Sequence, residues 1–187
     1  MAEMGSQSYR RYLQGDDQGM VELVREYKDG LMLYLNSLVG DLHVAEDLAE
    51  DTFVKLAVKK PPDRGGASFR TWLYAMGRHR AIDWMRRNRH RRELSLEELQ
   101  ELAADGESLE ESYLREERKI AVHRAMGKLK EDYRQILWLV YFEGFPVKDA
   151  AWVMGKSAHG GETLIYRARR ALKEILEQEG IDDAQER

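Results

Sequence analysis

Arg80, Trp84, Arg87 and Arg91 are spaced by four, three and four, so on a helix they share one face and set an aromatic ring within a basic stripe. Cations in such a row neutralise phosphates, and the indole between them can stack on an unpaired base. The stripe lies in a wider block. Residues 68–92 hold eight arginines (70, 78, 80, 86, 87, 89, 91 and 92) against one acid, Asp83, a net +7 with histidines neutral. Taken alone, this block fits a solvated arginine face with Trp84 packed inward equally well. Upstream, Glu46, Asp47, Glu50 and Asp51 fall mostly on the outer side of another helix. By itself that is an ordinary solvated surface; facing a basic partner it would be a docking face whose complementary charge fixes register.

Other chemistry finds little support. The five histidines, at 43, 79, 90, 123 and 159, show no metal-ligand pairing, and without cysteine there is no thiolate site and no disulfide. No metal and no cofactor are expected. Gly65-Gly66 and Gly160-Gly161 are isolated pairs without the strand-to-helix setting of a phosphate loop, and no nucleophile elbow or inward carboxylate pair stands out. The chain is expected not to be an enzyme and to take no small-molecule substrate. The absence of cysteine fits a reducing compartment, MAEMGSQSYRRYLQGDD holds no signal-like apolar stretch, and no later run is apolar enough to span a membrane. A cytoplasmic location is expected.

These residues need elements to position them. Met20, Val24, Tyr27, Leu31, Tyr34 and Leu38 recur at steps of three and four, which predicts a long helix stopped at Gly40. A second helix is expected from about Asp41, with Leu42, Ala45, Leu48, Thr52 and Leu56 inward. KPPDRGGAS, residues 60–68, must be a loop. Ser68 caps a third helix carrying Phe69, Trp72, Leu73, Met76, Ala81, Trp84 and Met85, which runs on into the arginines.

Residues 93–117 carry ten acids against Arg115, a net −9. Residues 93–107 read as a linker with a marginal helix and a capping box at Ser95/Glu98, and Ser108/Glu111, again spaced as a capping box, marks the start of the next helical block. A second apolar block follows through Ile120, Leu129, Ile136, Leu137, Leu139, Val140 and Phe142. A turn over Glu143–Pro146, a short helix with Ala150, Ala151 and Met154, a Gly155 turn and a last helix with Leu164, Ile165, Ala168, Leu172 and Leu176 make a helix-turn-helix. A chain of 187 residues with net charge −4 thus reads as all-α, two small helical domains joined by an acidic linker. The boundaries are 1–92, 93–115 and 116–187, the last with an acidic tail.

HVAEDLAEDTFVKLA, FRTWLYAMGRHRAIDWMRRNRHRR, LKEDYRQILWLVYFEGFPVKDAAWVMGKS and LIYRARRALKEIL, in this order, resemble the extracytoplasmic-function sigma factors of bacterial RNA polymerase. The resemblance covers about residues 18–92 and 116–177. It implies promoter-specific transcription initiation, with core RNA polymerase and promoter DNA as partners and an anti-sigma factor as regulator. The first domain would be region 2-like, docking on the clamp helices and opening the −10 element. The second would be region 4-like, sitting on the flap and reading the −35 element. Carried over by position, Asp47, Glu50 and Asp51 fall in the core-binding stretch, and the loop from Lys60 through Arg64 to Ser68 captures a flipped non-template base. Arg78, His79, Arg80, Asp83, Trp84, Arg87 and Arg91 fall in the −10 helix, and His159, Glu162, Thr163, Arg167 and Arg170 in the −35 reader.

Two departures stand out. His79 replaces the asparagine of many members, which bears on the preferred −10 base. AHGGET, residues 158–163, lacks the usual β-branched residue facing the partner helix. Two glycines in succession are expected to fray the first turn or delay the helix to about Glu162, and Gly161→Val is expected to stabilise the domain. Two rival readings remain open to the sequence. A regulator that binds an operator by itself leaves the Trp84 helix unexplained, and a purely protein-binding adaptor requires that the glycines abolish DNA reading.

Overall fold

The computed structural model describes residues 2–62, 66–88 and 121–180. Arg64, Arg91, the acidic linker with its two capping boxes, Ile120 and the acidic tail therefore lie outside the described residues.

The first element is one the apolar spacing did not announce: α1, Ala2–Leu13, a short helix whose Tyr9 and Tyr12 are buried. Next comes α2, Gln18–Val39, burying Leu23, Tyr27, Leu31, Tyr34 and Leu38 at steps of three and four. Gly40 ends it, donating its N–H to the Asn36 carbonyl at 2.8 Å. In α3, Leu42–Lys59, the Asp41 carboxylate caps the helix by accepting from the Val44 N–H at 3.1 Å. Ala45, Leu48, Thr52 and Leu56 point inward as expected, whereas Leu42 is 50% exposed. It stands at the open end of the helix, before the first buried position.

Ser68 caps α4, Phe69–Arg87, its hydroxyl accepting from the Thr71 N–H at 3.1 Å. Phe69, Leu73, Ala81 and Met85 are buried, while Trp72, Met76 and Trp84 pack against the core only in part. The helix α5 covers 121–128 and α6 Glu131–Leu137. A single π turn, Trp138–Phe142, extends α6. Phe142, expected in the second core, is 46% exposed, because the π turn stacks its ring on Trp138 with centroids 4.6 Å apart. The chain then forms α7, Val147–Val153, and α8, Ala158–Gln178.

The expected delay of the last helix is overturned. Ser157 caps α8, its hydroxyl accepting from the Gly160 N–H at 3.1 Å, so the helix starts at Ala158 and contains both glycines. The expected gain from a side chain at 161 is overturned as well. A Cβ there would lie 2.5 Å from the Ala151 Cβ and 3.3 Å from the Val147 carbonyl oxygen. Glycine is what lets α7 and α8 touch at this crossing.

Among the described residues there is no strand, no helix long and apolar enough to cross a membrane, and no cluster suited to a metal ion. The helix α2 is the hub, touching α1, α3 and α4, and α8 seats α6 and α7. Rather than two separate cores, the buried side chains form one cluster running from Tyr9 to Ala168. Leu31, Leu35 and Leu38 are at most 1% exposed, and burying each contributes roughly 1.5–3 kcal/mol.

Candidate nucleic-acid interface

The far half of α4 leaves its polar groups outward. His79, Asp83, Arg86 and Arg87 are exposed, and Trp84 is half-buried beside them. The fit of Trp84 is intermediate between the two readings of the basic stripe: the side chain packs against the core and stays partly accessible. His79 places Nδ1 2.7 Å from the Ala75 carbonyl oxygen. A carbonyl only accepts, so Nδ1 carries the proton and Nε2 is presented outward, an acceptor while the ring is neutral. Arg87 Nε donates to the Asp83 carbonyl at 3.3 Å and Asn88 Nδ2 to the Trp84 carbonyl at 2.9 Å, closing the end of the helix. Arg80 is more committed: its Nη1 pairs with Asp51 at 3.0 Å, joining α4 to α3.

The near half of the same helix holds protein instead. Arg70 Nη2 donates to the Glu143 carbonyl at 2.6 Å and its carboxylate at 3.1 Å, with the guanidinium 4.2 Å from the centre of the Phe145 ring. The Tyr74 hydroxyl donates to the same carboxylate at 2.6 Å, and its ring meets Phe145 edge-on at 5.0 Å. Burial, and then the Glu143 charge, push the Tyr74 hydroxyl far above its ordinary range, so it remains a donor at neutral pH. Gly30 of α2 makes room: a Cβ there would sit 2.6 Å from the Tyr74 hydroxyl oxygen. Arg78, expected to face DNA, donates through Nε to the fully buried Gln135 at 2.8 Å. The joint between the two halves of the chain thus takes in Arg78, carried over as part of the DNA helix, beside Arg70 and Tyr74, which were not.

On α3, Asp47, Glu50 and Asp51 are exposed. Glu50 pairs with Lys28 at 2.8 Å and Asp51 with Arg80, leaving Asp47 as the residue of the three without an ion pair among the described residues. Lys60 directly follows α3 in a left-handed conformation, φ +41°, a strain of about 1–3 kcal/mol for such a residue. Its ammonium lies 4.7 Å from the centre of the Tyr12 ring.

On α8, His159, Glu162, Arg167 and Arg170 are exposed and Thr163 is half-buried. Arg170 pairs with Glu174 at 3.0 Å. Among the described residues no hydrogen bond or ion pair joins this set to the one on α4. Sequence reasoning passed over Tyr166, 68% exposed on the same face, and Arg169, whose guanidinium lies 5.5 Å from the centre of the Tyr141 ring. The step of three and four from Thr163 through Tyr166 to Arg170 was the signal available. It also passed over Arg70, Tyr74, Gln135 and Glu143, whose meeting no local pattern encodes.

A helix with arginines at its end beside a partly exposed indole, together with a helix-turn-helix, is the make-up of a two-domain regulatory DNA-binding protein. Comparison with known proteins makes the class specific. The sigma-70 region 2 family matches residues 23–91 and the sigma-70 region 4 family residues 119–172. The RNA polymerase sigma factor YlaC of Bacillus subtilis is 31% identical over 156 residues, covering 83% of this chain and 90% of that protein. The RNA polymerase sigma-H factor of Pseudomonas aeruginosa is 29% identical, covering 94% and 95%. The ECF RNA polymerase sigma factor SigW of Bacillus subtilis is 24% identical, covering 94% and 98%. Among solved structures, the sigma factor RpoE in complex with the anti-sigma factor NepR from Bartonella quintana aligns with a TM-score of 0.64 at 25% identity, covering 83% of this chain and 95% of that one. The fold of CnrH, in complex with the cytosolic domain of CnrY, aligns with a TM-score of 0.63 at 23% identity, covering 95% and 97%.

The chain belongs to the extracytoplasmic-function sigma factors of the sigma-70 family. It directs promoter-specific transcription initiation by binding core RNA polymerase and recognising and melting promoter DNA.

Proposed function

We propose that the labour divides along the chain as follows. The far half of α4, with His79, Asp83, Trp84 and Arg87, opens and reads the −10 element, and the loop after Lys60 captures a flipped base. Asp47, Glu50 and Asp51 dock on the clamp helices, and the outer face of α8, with His159, Glu162, Thr163, Arg167 and Arg170, reads the −35 element. The observation that carries this reading is the half-open Trp84 flanked by exposed His79, Asp83 and Arg87. Stacking platforms of this kind bind unpaired bases at about 1–3 kcal/mol each. The polymerase supplies the chemistry, and this chain acts in the cytoplasm as a specificity subunit without an active site of its own. The domains follow the boundaries 1–92 and 116–187, and the acidic stretch between them suits the positively charged nucleic-acid channels of the enzyme. An anti-sigma factor holds the chain inactive, supported by the RpoE–NepR complex among its structural neighbours.

Reconstitution with core polymerase tests the assignment. Trp84→Ala and Arg87→Ala are expected to slow promoter opening by about tenfold or more while leaving holoenzyme assembly intact. Arg87 is a cleaner probe than Arg80, whose loss also breaks the pair with Asp51. Asp47→Lys should do the reverse, weakening competition for core polymerase without disturbing the fold. Loss of core binding by the α4 variants, with opening by assembled complexes unchanged, would sink the assignment.

A further inference from the structure

Tyr9 and Tyr12 lie three residues apart on α1, both buried, and a buried tyrosine hydroxyl needs an acceptor. Both find one at the same place. The Tyr9 hydroxyl donates to the Pro61 carbonyl at 2.6 Å and the Tyr12 hydroxyl to the Ala57 carbonyl at 3.1 Å. Ala57 is in the last turn of α3, and Pro61 is the second residue beyond that helix. Between them stands Lys60, the one non-glycine residue at positive φ among the described residues, its ammonium over the Tyr12 ring. A residue that precedes proline is pushed toward extended backbone, so a left-handed Lys60 ahead of Pro61 is held against two preferences. Such a conformation persists where its surroundings over-determine it, and strain of this kind gathers at ligand clamps.

We propose that α1 is a brace for the base-capturing loop, in which Tyr9 and Tyr12 are positioning residues that hold Lys60, Pro61 and Pro62 ready to discriminate one unpaired promoter base. This rests on the assignment of the loop to base capture made above. Residues fixed beforehand, as Lys60 and Pro61 are by the two tyrosines, lose less conformational freedom when they engage a base. The brace therefore acts on selectivity at one position and leaves general attraction to DNA unchanged. Neither tyrosine is exposed enough to read a base itself: Tyr9 is 0% and Tyr12 8% accessible.

Holoenzyme reconstituted from the full chain is incubated with a randomised pool of short single-stranded DNA, and the bound fraction is sequenced. The unaltered protein is expected to enrich one base at the captured position. Lys60→Ala and Tyr9→Phe should each lower that enrichment about fivefold, the factor one lost hydrogen bond supplies, with other positions unchanged. Tyr12→Phe should shift the same position less. Flattening by Lys60→Ala while Tyr9→Phe and Tyr12→Phe change nothing overturns the brace and leaves the loop assignment standing. No position-specific effect from Lys60→Ala overturns the loop assignment and the brace with it. A uniform fall at all positions in Tyr9→Phe, accompanied by a lower melting temperature, makes Tyr9 a residue of the fold alone and also overturns the brace. Should Tyr9→Phe fail to fold, Tyr12→Phe decides by the same criteria.

Discussion

The helices α4 and α8 both turn arginines outward from an apolar stripe, yet they use them differently. On α4, Arg70, Arg78 and Arg80 are held by Glu143, Gln135 and Asp51, and the arginines open to solvent come only toward its end. On α8, Arg170 and Lys173 pair only with neighbours on the same helix, Glu174 and Glu177, and Arg169 lies against the exposed Tyr141 ring. The inward stripes explain the contrast. The buried residues of α8 are few and small, Gly161, Ile165 and Ala168, so one side suffices for packing. The helix α4 is flanked by α1, α2, α3 and α7, and half of its surface becomes a joint. A basic pattern reports where cations are; their partners decide which of them can reach a phosphate.

The comparison breaks most readily at Gly161, through which α8 is seated. Gly161→Val forces a branched side chain against the Ala151 Cβ and the Val147 carbonyl, neither of which can rotate aside. Overpacking of this kind costs about 1–3 kcal/mol, and a rigid neighbour puts it at the upper end. A fall of roughly 6–12 °C in melting temperature is expected from about 3 kcal/mol in a chain of this size. Binding to a −35 site should weaken in parallel, because α8 must tilt away from α7. A Val variant that melts at or above the temperature of the unaltered protein would show that the two helices have slack at this crossing.

The joint on α4 comes next. Glu143→Ala removes the acceptor shared by Tyr74 and Arg70, although Arg70 keeps the backbone carbonyl at 143. Hydrogen bonds to a charged group are worth about 1.5–3 kcal/mol, so a loss of about 2 kcal/mol is expected. Resonance energy transfer between labels on α3 and α8 should report wider separation of the two halves. Glu143→Gln, which retains an acceptor for Tyr74, should show a smaller effect. If the Ala variant also gains affinity for −10 single strands, the near half of α4 belongs to the DNA face once the joint opens; unchanged affinity confines that face to the far half.

Much of this was legible in the sequence because it is local. Helix periods, the Asp41 and Ser68 positions ahead of their helices, the Gly40 stop and the turn at Gly155 are set by neighbours in the chain, and the structure contains them. What could not be read depends on distant residues. Glu143 reaches Arg70 across 73 positions, placed there by a π turn that periodicity does not signal. The helix α1 hides its role in two tyrosines whose acceptors lie 45 and 52 positions away. Gly161 misleads for a related reason. Propensity counts a helical glycine as a local defect, while its value here lies in the distance to Ala151 on another helix. The arginine stripe was visible as a stripe, but Arg78 is spent on Gln135 of another helix while Arg87, the same letter, stays exposed.

The smallest effect sharpens the other side of the contrast. Arg170 and Glu174 form an exposed pair one turn apart, and such pairs contribute about 0.3–0.5 kcal/mol. Glu174→Gln should therefore leave the melting temperature within a degree or two, while removing a negative charge from the proposed reading face and releasing a guanidinium to bind phosphate. Affinity for duplex carrying the −35 element is expected to rise two- to threefold at low salt. The slope of log K against log salt should steepen by about 0.9 if Arg170 gains one phosphate. Lys173 and Glu177, paired at 3.7 Å almost one turn further along, supply the control. If Glu177→Gln raises affinity equally, the gain comes from the general field of the helix. If Glu174→Gln alone does so, Arg170 is a cation that α8 keeps available by holding it only to a weak surface partner, the condition that α4 denies to Arg78.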